Sequence, residues 1–178
     1  MLKKLLKLLV IFLILLSILY NFLLSDYNPV FKNDEFVFLS KELKNTHSED
    51  LKSIVDIQNK IYQRSKESPC YCEDAANYIG PYRHGYSLTK LLYILKVKLN
   101  FTPDECLNFL LLNNNFGHGN KGIKEASTFY FKKDITQLNK KEILVLLTVF
   151  KNPGLYDPIR NPEGVKNRAN LLERVVNK

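Results

Sequence analysis

A chain of 178 residues that is 46% apolar and holds only seven glycines and seven prolines is long enough for one buried core and short for two, which excludes a collagenous or low-complexity protein. The formal charge is +8, and +8 less the three lysines at positions 3, 4 and 7 leaves +5 on the remainder. That balance suits an anionic partner such as lipid head groups, while the lack of basic residues interleaved with aromatic ones speaks against a single-strand nucleic-acid binder.

Lys3, Lys4 and Lys7 precede an apolar run from residue 8 to residue 24, interrupted only by Ser17 and Asn21. With Leu5 and Leu6 the run approaches the ~20 residues that cross a bilayer core. The basic flank would hold the N-terminus in the cytoplasm and place everything after Ser25 outside the inner membrane. A cleaved signal peptide has the same polarity, but the Leu/Phe-rich end lacks a small-x-small cleavage site, so a retained anchor over 1–25 is preferred. With the anchor in place, nucleic acid is not an expected partner.

Residues 26–47 read as a juxtamembrane linker, with Phe36-Val37-Phe38-Leu39 a short extended or packing segment. Ser48 resembles an N-cap, with Glu49 and Asp50 in the first turn of a helix carrying Leu51, Ile54, Val55, Ile61 and Tyr62 at helical spacing. From residue 88 to 99 the stripe Leu88, Leu91, Leu92, Leu95 and Leu99 predicts a helix with these leucines buried and Lys90, Lys96 and Lys98 turned away. Thr102-Pro103-Asp104-Glu105 is a helix start with Thr102 as N-cap, Pro103 at the first helical position and Glu105 closing a capping box. Gly117 and Gly119 predict a tight loop around an exposed His118. Lys121 and Lys124 then open a short helix with Ile123, Ala126, Phe129 and Tyr130, an edge that could face an anion. Asn139 to Glu142 starts another apolar helix, and Asn161-Pro162 caps the last, with Val165, Ala169, Leu172 and Val176 inward. The periodicity thus predicts an all-α domain over 48–178, of about six helices, behind one membrane anchor.

Three cysteines leave alternatives open. Cys70-x-Cys72 with histidines elsewhere is chemically able to bind zinc, but its spacing is unlike the usual two-to-four-residue gap, so no metal site is expected. In an oxidising compartment a disulfide from Cys70 or Cys72 to Cys106 competes evenly with free thiols.

The stretch from Phe101 onward carries a resemblance. Phe116-Gly117-His118-Gly119, Gly122-Ile123, Ala126-Ser127, Tyr130-Phe131, Leu138, Glu142, Lys151, Tyr156-Asp157-Pro158, Asn161-Pro162 and Arg168 follow the order and spacing of the second half of the family 51 peptidoglycan glycosyltransferases. This is the lysozyme-like domain of class A penicillin-binding proteins and monofunctional transglycosylases. The resemblance implies that fold with one lobe shortened, and a bacterial inner-membrane protein that polymerises glycan strands from a lipid-linked disaccharide-peptide precursor, with other cell-wall synthases as candidate partners.

The family opens its site with Glu-Asp, an aromatic, His and Gly. Here Glu73-Asp74, Tyr78 and His84-Gly85 keep that order, with His84 several residues late. On this resemblance Glu73 is the catalytic base, taking the proton of the acceptor 4-hydroxyl as it attacks the anomeric carbon. Burial that raises a carboxylate pKa suits such work. A solvated acid pair is the plain alternative, and Glu49-Asp50 a weaker rival. Asp74, His84, Lys90 and Lys121 are the implied substrate contacts. Roughly thirty residues of the donor side are missing, and Lys90 stands where the family has its second Glu. A lysine can hold phosphate as a point charge but is no base while protonated. No cofactor is certain; a divalent cation, Mg or Mn, is the one the resemblance leaves open. A catalytically inactive relative acting as glycan-binding scaffold is the alternative function, and a glycan-cleaving enzyme a third.

Overall fold

The computed structural model describes residues 2–46, 51–65, 70–79 and 88–178. The chain begins with α1 (Leu2–Leu23), in which Lys3–Leu23 holds an 18-residue window of mean hydropathy 2.5 with none of that window buried. Twenty-one residues rise about 31 Å, the thickness of a bilayer core, so this helix is long and apolar enough to cross a membrane.

The chain turns at once after α1. Asn28 donates from Nδ2 to the Leu23 carbonyl at 2.7 Å and accepts from the Val30 amide at 3.1 Å, tying the helix end to a 3₁₀ turn over Pro29–Lys32. Residues 36–39 are not extended: they belong to α2 (Asp34–Asn45), capped by Asn33 accepting from the Phe36 amide at 2.9 Å. Phe36, Leu39 and Leu43 bury one face of it. The Asn33 cap followed by Asp34 and Glu35 is an N-terminal signal of the usual kind, which a linker reading passes over.

There follow α3 (Lys52–Ser65), α4 (Tyr71–Ile79), α5 (Leu88–Asn100), α6 (Pro103–Asn113), α7 (Gly122–Phe131), α8 (Lys140–Lys151) and α9 (Pro162–Asn177). Among the described residues there is no strand, only an isolated bridge between Asn115 and Lys121. Beyond α1 the described helices thus exceed six, α2 and α4 being the additions. The expected Ser48 cap lies outside the described residues. The capping boxes of α6 and α8 and the Asn161 cap of α9 form as expected.

The core is centred on α6, where Cys106, Leu107, Phe109, Leu110 and Leu111 are all buried, with α2, α3, α4 and α7 packed around it. Cys72 and Cys106 form a disulfide between α4 and α6, while Cys70 is exposed outside it. Gly122 shows why this position needs glycine: its φ is +82°, and a Cβ there would fall 2.2 Å from the Leu112 carbonyl oxygen.

The helix α5 keeps only part of its expected orientation: Leu92 is buried, Leu95 packs against the core and Lys98 is exposed, but the rest of the stripe is not inward. Leu88, Leu91 and Leu99 are 65%, 51% and 61% exposed, whereas Lys96 is 7% exposed and Tyr93 and Val97 are buried. Apolarity alone selects the leucine stripe; the partners decide otherwise. Lys96 Nζ donates to the Leu24 carbonyl at 2.6 Å, pairs with Asp26 at 2.7 Å and lies 5.3 Å from the Phe31 ring centroid. Asn33 donates to the Tyr93 hydroxyl on the same side. The segment leaving α1 claims this face of α5, and a buried ammonium is tolerated because its donors are satisfied.

Candidate functional site

The candidate site grows from α4. Residues 71, 74, 77 and 78 recur at helical spacing, so Tyr71, Asp74, Asn77 and Tyr78 share a face. That face lines an open groove of about 410 Å³, closed by Tyr62 of α3, Leu110 and Asn114 at the end of α6, and Phe150 and Lys151 at the end of α8. The groove is anchored from below: the Tyr78 hydroxyl donates to the Asn113 carbonyl at 2.8 Å, and its ring stands edge-on to Phe109. Tyr62 and Tyr71 meet at a right angle, and Lys151 Nζ sits 5.8 Å from the Tyr62 ring centroid.

The two neighbouring acids part company. Successive helical residues diverge by about 100°, so both cannot face one groove. Asp74 lines it. Glu73, 37% exposed at its side chain, faces α5 instead and lies 3.5 Å from Lys98 Nζ. Partial burial pushes the Asp74 pKa up, the Glu73 charge adds to this, and Lys151 pulls the other way. Burial also raises the Tyr71 phenol, with Tyr62 adding to it. Among the described residues the Tyr71 hydroxyl and Asn77 Oδ1 are buried without a partner in ordinary hydrogen-bond geometry, although Gln58 and Tyr62 lie near the phenol. These are polar atoms that a ligand in the groove could satisfy.

The other sequence candidates are not gathered here. Lys90 is half-buried in the first turn of α5 and does not line the groove. Lys121 is exposed at the N-cap of α7, where its backbone amide, not its side chain, makes the contact, donating to Glu125 at 2.8 Å. His84 lies outside the described residues. Tyr62, Tyr71, Asn77 and Lys151 are among the groove residues that the sequence pattern did not assign to a site. The spacing of residues 71, 74, 77 and 78 is the signal that could have found Asn77.

The distal motif has a structural task. His118 Nε2 donates to Asp157 at 3.0 Å, and Arg160 Nε reaches the same carboxylate at 2.5 Å. Backbone amides of Ile159 and Arg160 complete the set. Burial alone would raise the Asp157 pKa, but the Arg160 and backbone bonds outweigh it and hold the carboxyl well below the usual range. His118, with φ +53°, also stacks on Phe129. The glycine loop and the Tyr156-Asp157-Pro158 turn are thereby locked together, and His118, expected to be a plain loop residue, is the bolt.

Among the described residues there is no group of three or more His, Cys, Asp or Glu side chains that could hold a metal ion.

Comparison with known proteins points the same way as the motifs. The family model described as Transglycosylase matches residues 87–176, half of the chain, beginning after Glu73, Asp74 and His84. Penicillin-binding protein 1F of Bacillus subtilis is 31% identical over 88 residues, 49% of this chain and 12% of that protein. Penicillin-binding protein 1A of Mycobacterium tuberculosis is 32% identical over 99 residues, 53% and 12% respectively. Penicillin-binding protein 1A of Pseudomonas aeruginosa is 29% identical over 105 residues, 57% and 13%. The chain thus covers roughly an eighth of the length of these relatives. With its helical fold, its ordered distal motif and a matched span of that extent, the chain belongs to the transglycosylase family, the family 51 peptidoglycan glycosyltransferases.

Proposed function

We propose that this chain is a membrane-anchored peptidoglycan glycosyltransferase that extends glycan strands from a lipid-linked disaccharide-peptide precursor. Its N-terminus is cytoplasmic and its helical body lies on the outer side of the membrane. The observation that carries the reading is the placement of Asp74 in an open groove walled by Tyr62, Tyr71 and Tyr78, opposite Lys151. Aromatic walls offer apolar faces to sugar rings, and a few polar groups among them fix orientation.

In this reading the acceptor sugar's 4-hydroxyl gives its proton to Asp74 as its oxygen bonds to the donor's anomeric carbon. The bond from that carbon to the lipid pyrophosphate breaks with inversion, and the pyrophosphate departs with the electron pair. A carboxylate of raised pKa is a better base than an ordinary one. Lys151 is the cation at the groove, and it takes precedence over Lys90 and Lys121 as the pyrophosphate contact, because neither of those lines the groove. Glu73, the base that the family pattern implies, acts here on Asp74's proton affinity.

Polymerisation of labelled lipid-linked precursor by the detergent-solubilised full chain tests this. Chains from the wild type and Glu73→Gln, and none from Asp74→Asn, are the expected result. Loss with Glu73→Gln alone would return the base to Glu73. No chains from a folded wild type that still binds glycan strands would overturn the transferase and leave a scaffold. The ion pair of Glu73 with Lys98 is the observation that favours this second reading, since it engages the family's base in a structural contact.

A further inference from the structure

A second cleft lies at the foot of α1, sharing no lining residue with the Asp74 groove. It holds about 700 Å³ and is lined by Lys41, Lys44, Lys96 and Asp26, by Ser40, Asn45 and Asn100, and by the rings of Phe31, Phe36 and Phe101. Val37, Ser40, Lys41 and Lys44 follow the i, i+3, i+4, i+7 pattern, so a single exposed face of α2 forms one wall.

The charges of this lining do not cancel. Asp26 is engaged by Lys96 at 2.7 Å, and its pKa is lowered first by that hydrogen bond and charge, then by Lys44. Three lysines against one aspartate leave two positive charges, those of Lys41 and Lys44, both on exposed residues. Their place is fixed by Lys96, whose Nζ touches the carbonyl of Leu24, the first residue past the apolar helix. Tyr27, 81% exposed, follows three residues later with Lys32 Nζ 5.9 Å from its ring centroid, a pairing suited to the membrane–water boundary.

We propose that this cleft binds the phosphate of an anionic phospholipid. Lys41 and Lys44 meet the charge, Ser40, Asn45 and Asn100 supply hydrogen bonds, and the phenylalanine floor takes the glycerol end of the acyl chains. The shared chemistry is a phosphate anion; the position beside a membrane helix selects a lipid as its source, and this step rests on α1 being a membrane span.

The test uses the full chain in a neutral maltoside detergent, titrated with dioctanoyl phosphatidylglycerol and followed by native mass spectrometry. One lipid should be retained, whereas dioctanoyl phosphatidylcholine should not. Lys41→Gln/Lys44→Gln should weaken retention about tenfold, each lysine near an anionic lipid being a modest contributor. The charge-matched pair Lys166→Gln/Lys178→Gln should leave it unchanged. Circular dichroism checks folding, and the two single variants serve if the double variant does not fold. Equal retention by wild type and the double variant, or equal binding of phosphatidylcholine, would overturn the proposal. Displacement by an equal concentration of inorganic phosphate would overturn the lipid source while supporting the anion site. Since neither polymerisation nor membrane insertion is read, failure here is separable from failure of the transferase reading.

Discussion

Asp74 and Glu73 are adjacent in sequence and opposite in circumstance, and a pH profile would expose the difference. Glu73 raises the Asp74 pKa and Lys151 lowers it. If Asp74 must be ionised to act, the acid limb of kcat/KM lies above the ordinary carboxylate value of about 3.9. Glu73→Gln removes a raising charge, so the limb should move to lower pH. Lys151→Met removes a lowering one, so the limb should move to higher pH. Measured profiles that do not move in opposite directions would contradict the groove assignment. Asp157 makes a separate prediction, for stability. Its folded pKa is depressed, so its contribution is fully present above its unfolded pKa of about 3.9 and is lost as pH falls through the folded value. Asp157→Ala should cost about 2 kcal/mol near neutral pH by removing the buried carboxylate that His118, Arg160 and two backbone amides share as acceptor. Thermal melts should show a fall of roughly 4–8 °C that narrows in acid.

At the scale of elements, the disulfide decides how firmly α4 presents its groove face. Cys72 and Cys106 are 34 residues apart, and closing a loop of that length stabilises a domain by about 3–4 kcal/mol on the chain-entropy model. Cys72→Ser/Cys106→Ser should lower the melting temperature, and adding reductant should do the same to the wild type but not to the variant. An unchanged melt would mean that helix packing alone holds α4. The helices themselves were legible where their ends carry chemistry. Thr102 with Glu105 and Asn139 with Glu142 announce α6 and α8 because each pair satisfies backbone amides locally. The face of α5 was not legible, since a leucine stripe says only that an apolar face exists, and the choice of Lys96 and Tyr93 as the inward side was made by Leu24, Asp26 and Asn33, sixty or more residues away in sequence.

At the scale of the whole molecule, the proposed anchoring by α1 makes a prediction about which side of the membrane carries the body. Cys70 is exposed and outside the disulfide, so it reports topology. If the body faces outward, a membrane-impermeant maleimide should label Cys70 in intact spheroplasts, and Cys70→Ser should abolish the signal. Labelling only after lysis would reverse the orientation.

What the sequence by itself determined is everything written in local pattern or in motif order. The apolar run fixes a helix of membrane length, the caps fix the later helix starts, and the run from Phe116 to Arg168 fixes the family. What only the tertiary structure decided is which neighbours share a surface. It turned Asp74, not Glu73, into the groove, joined Cys72 to Cys106, made His118 the partner of Asp157, and set Lys41 and Lys44 beside the foot of α1. The reason is physical: a helix start depends on groups within one turn, whereas burial, pKa and pairing depend on side chains brought together from distant parts of the chain.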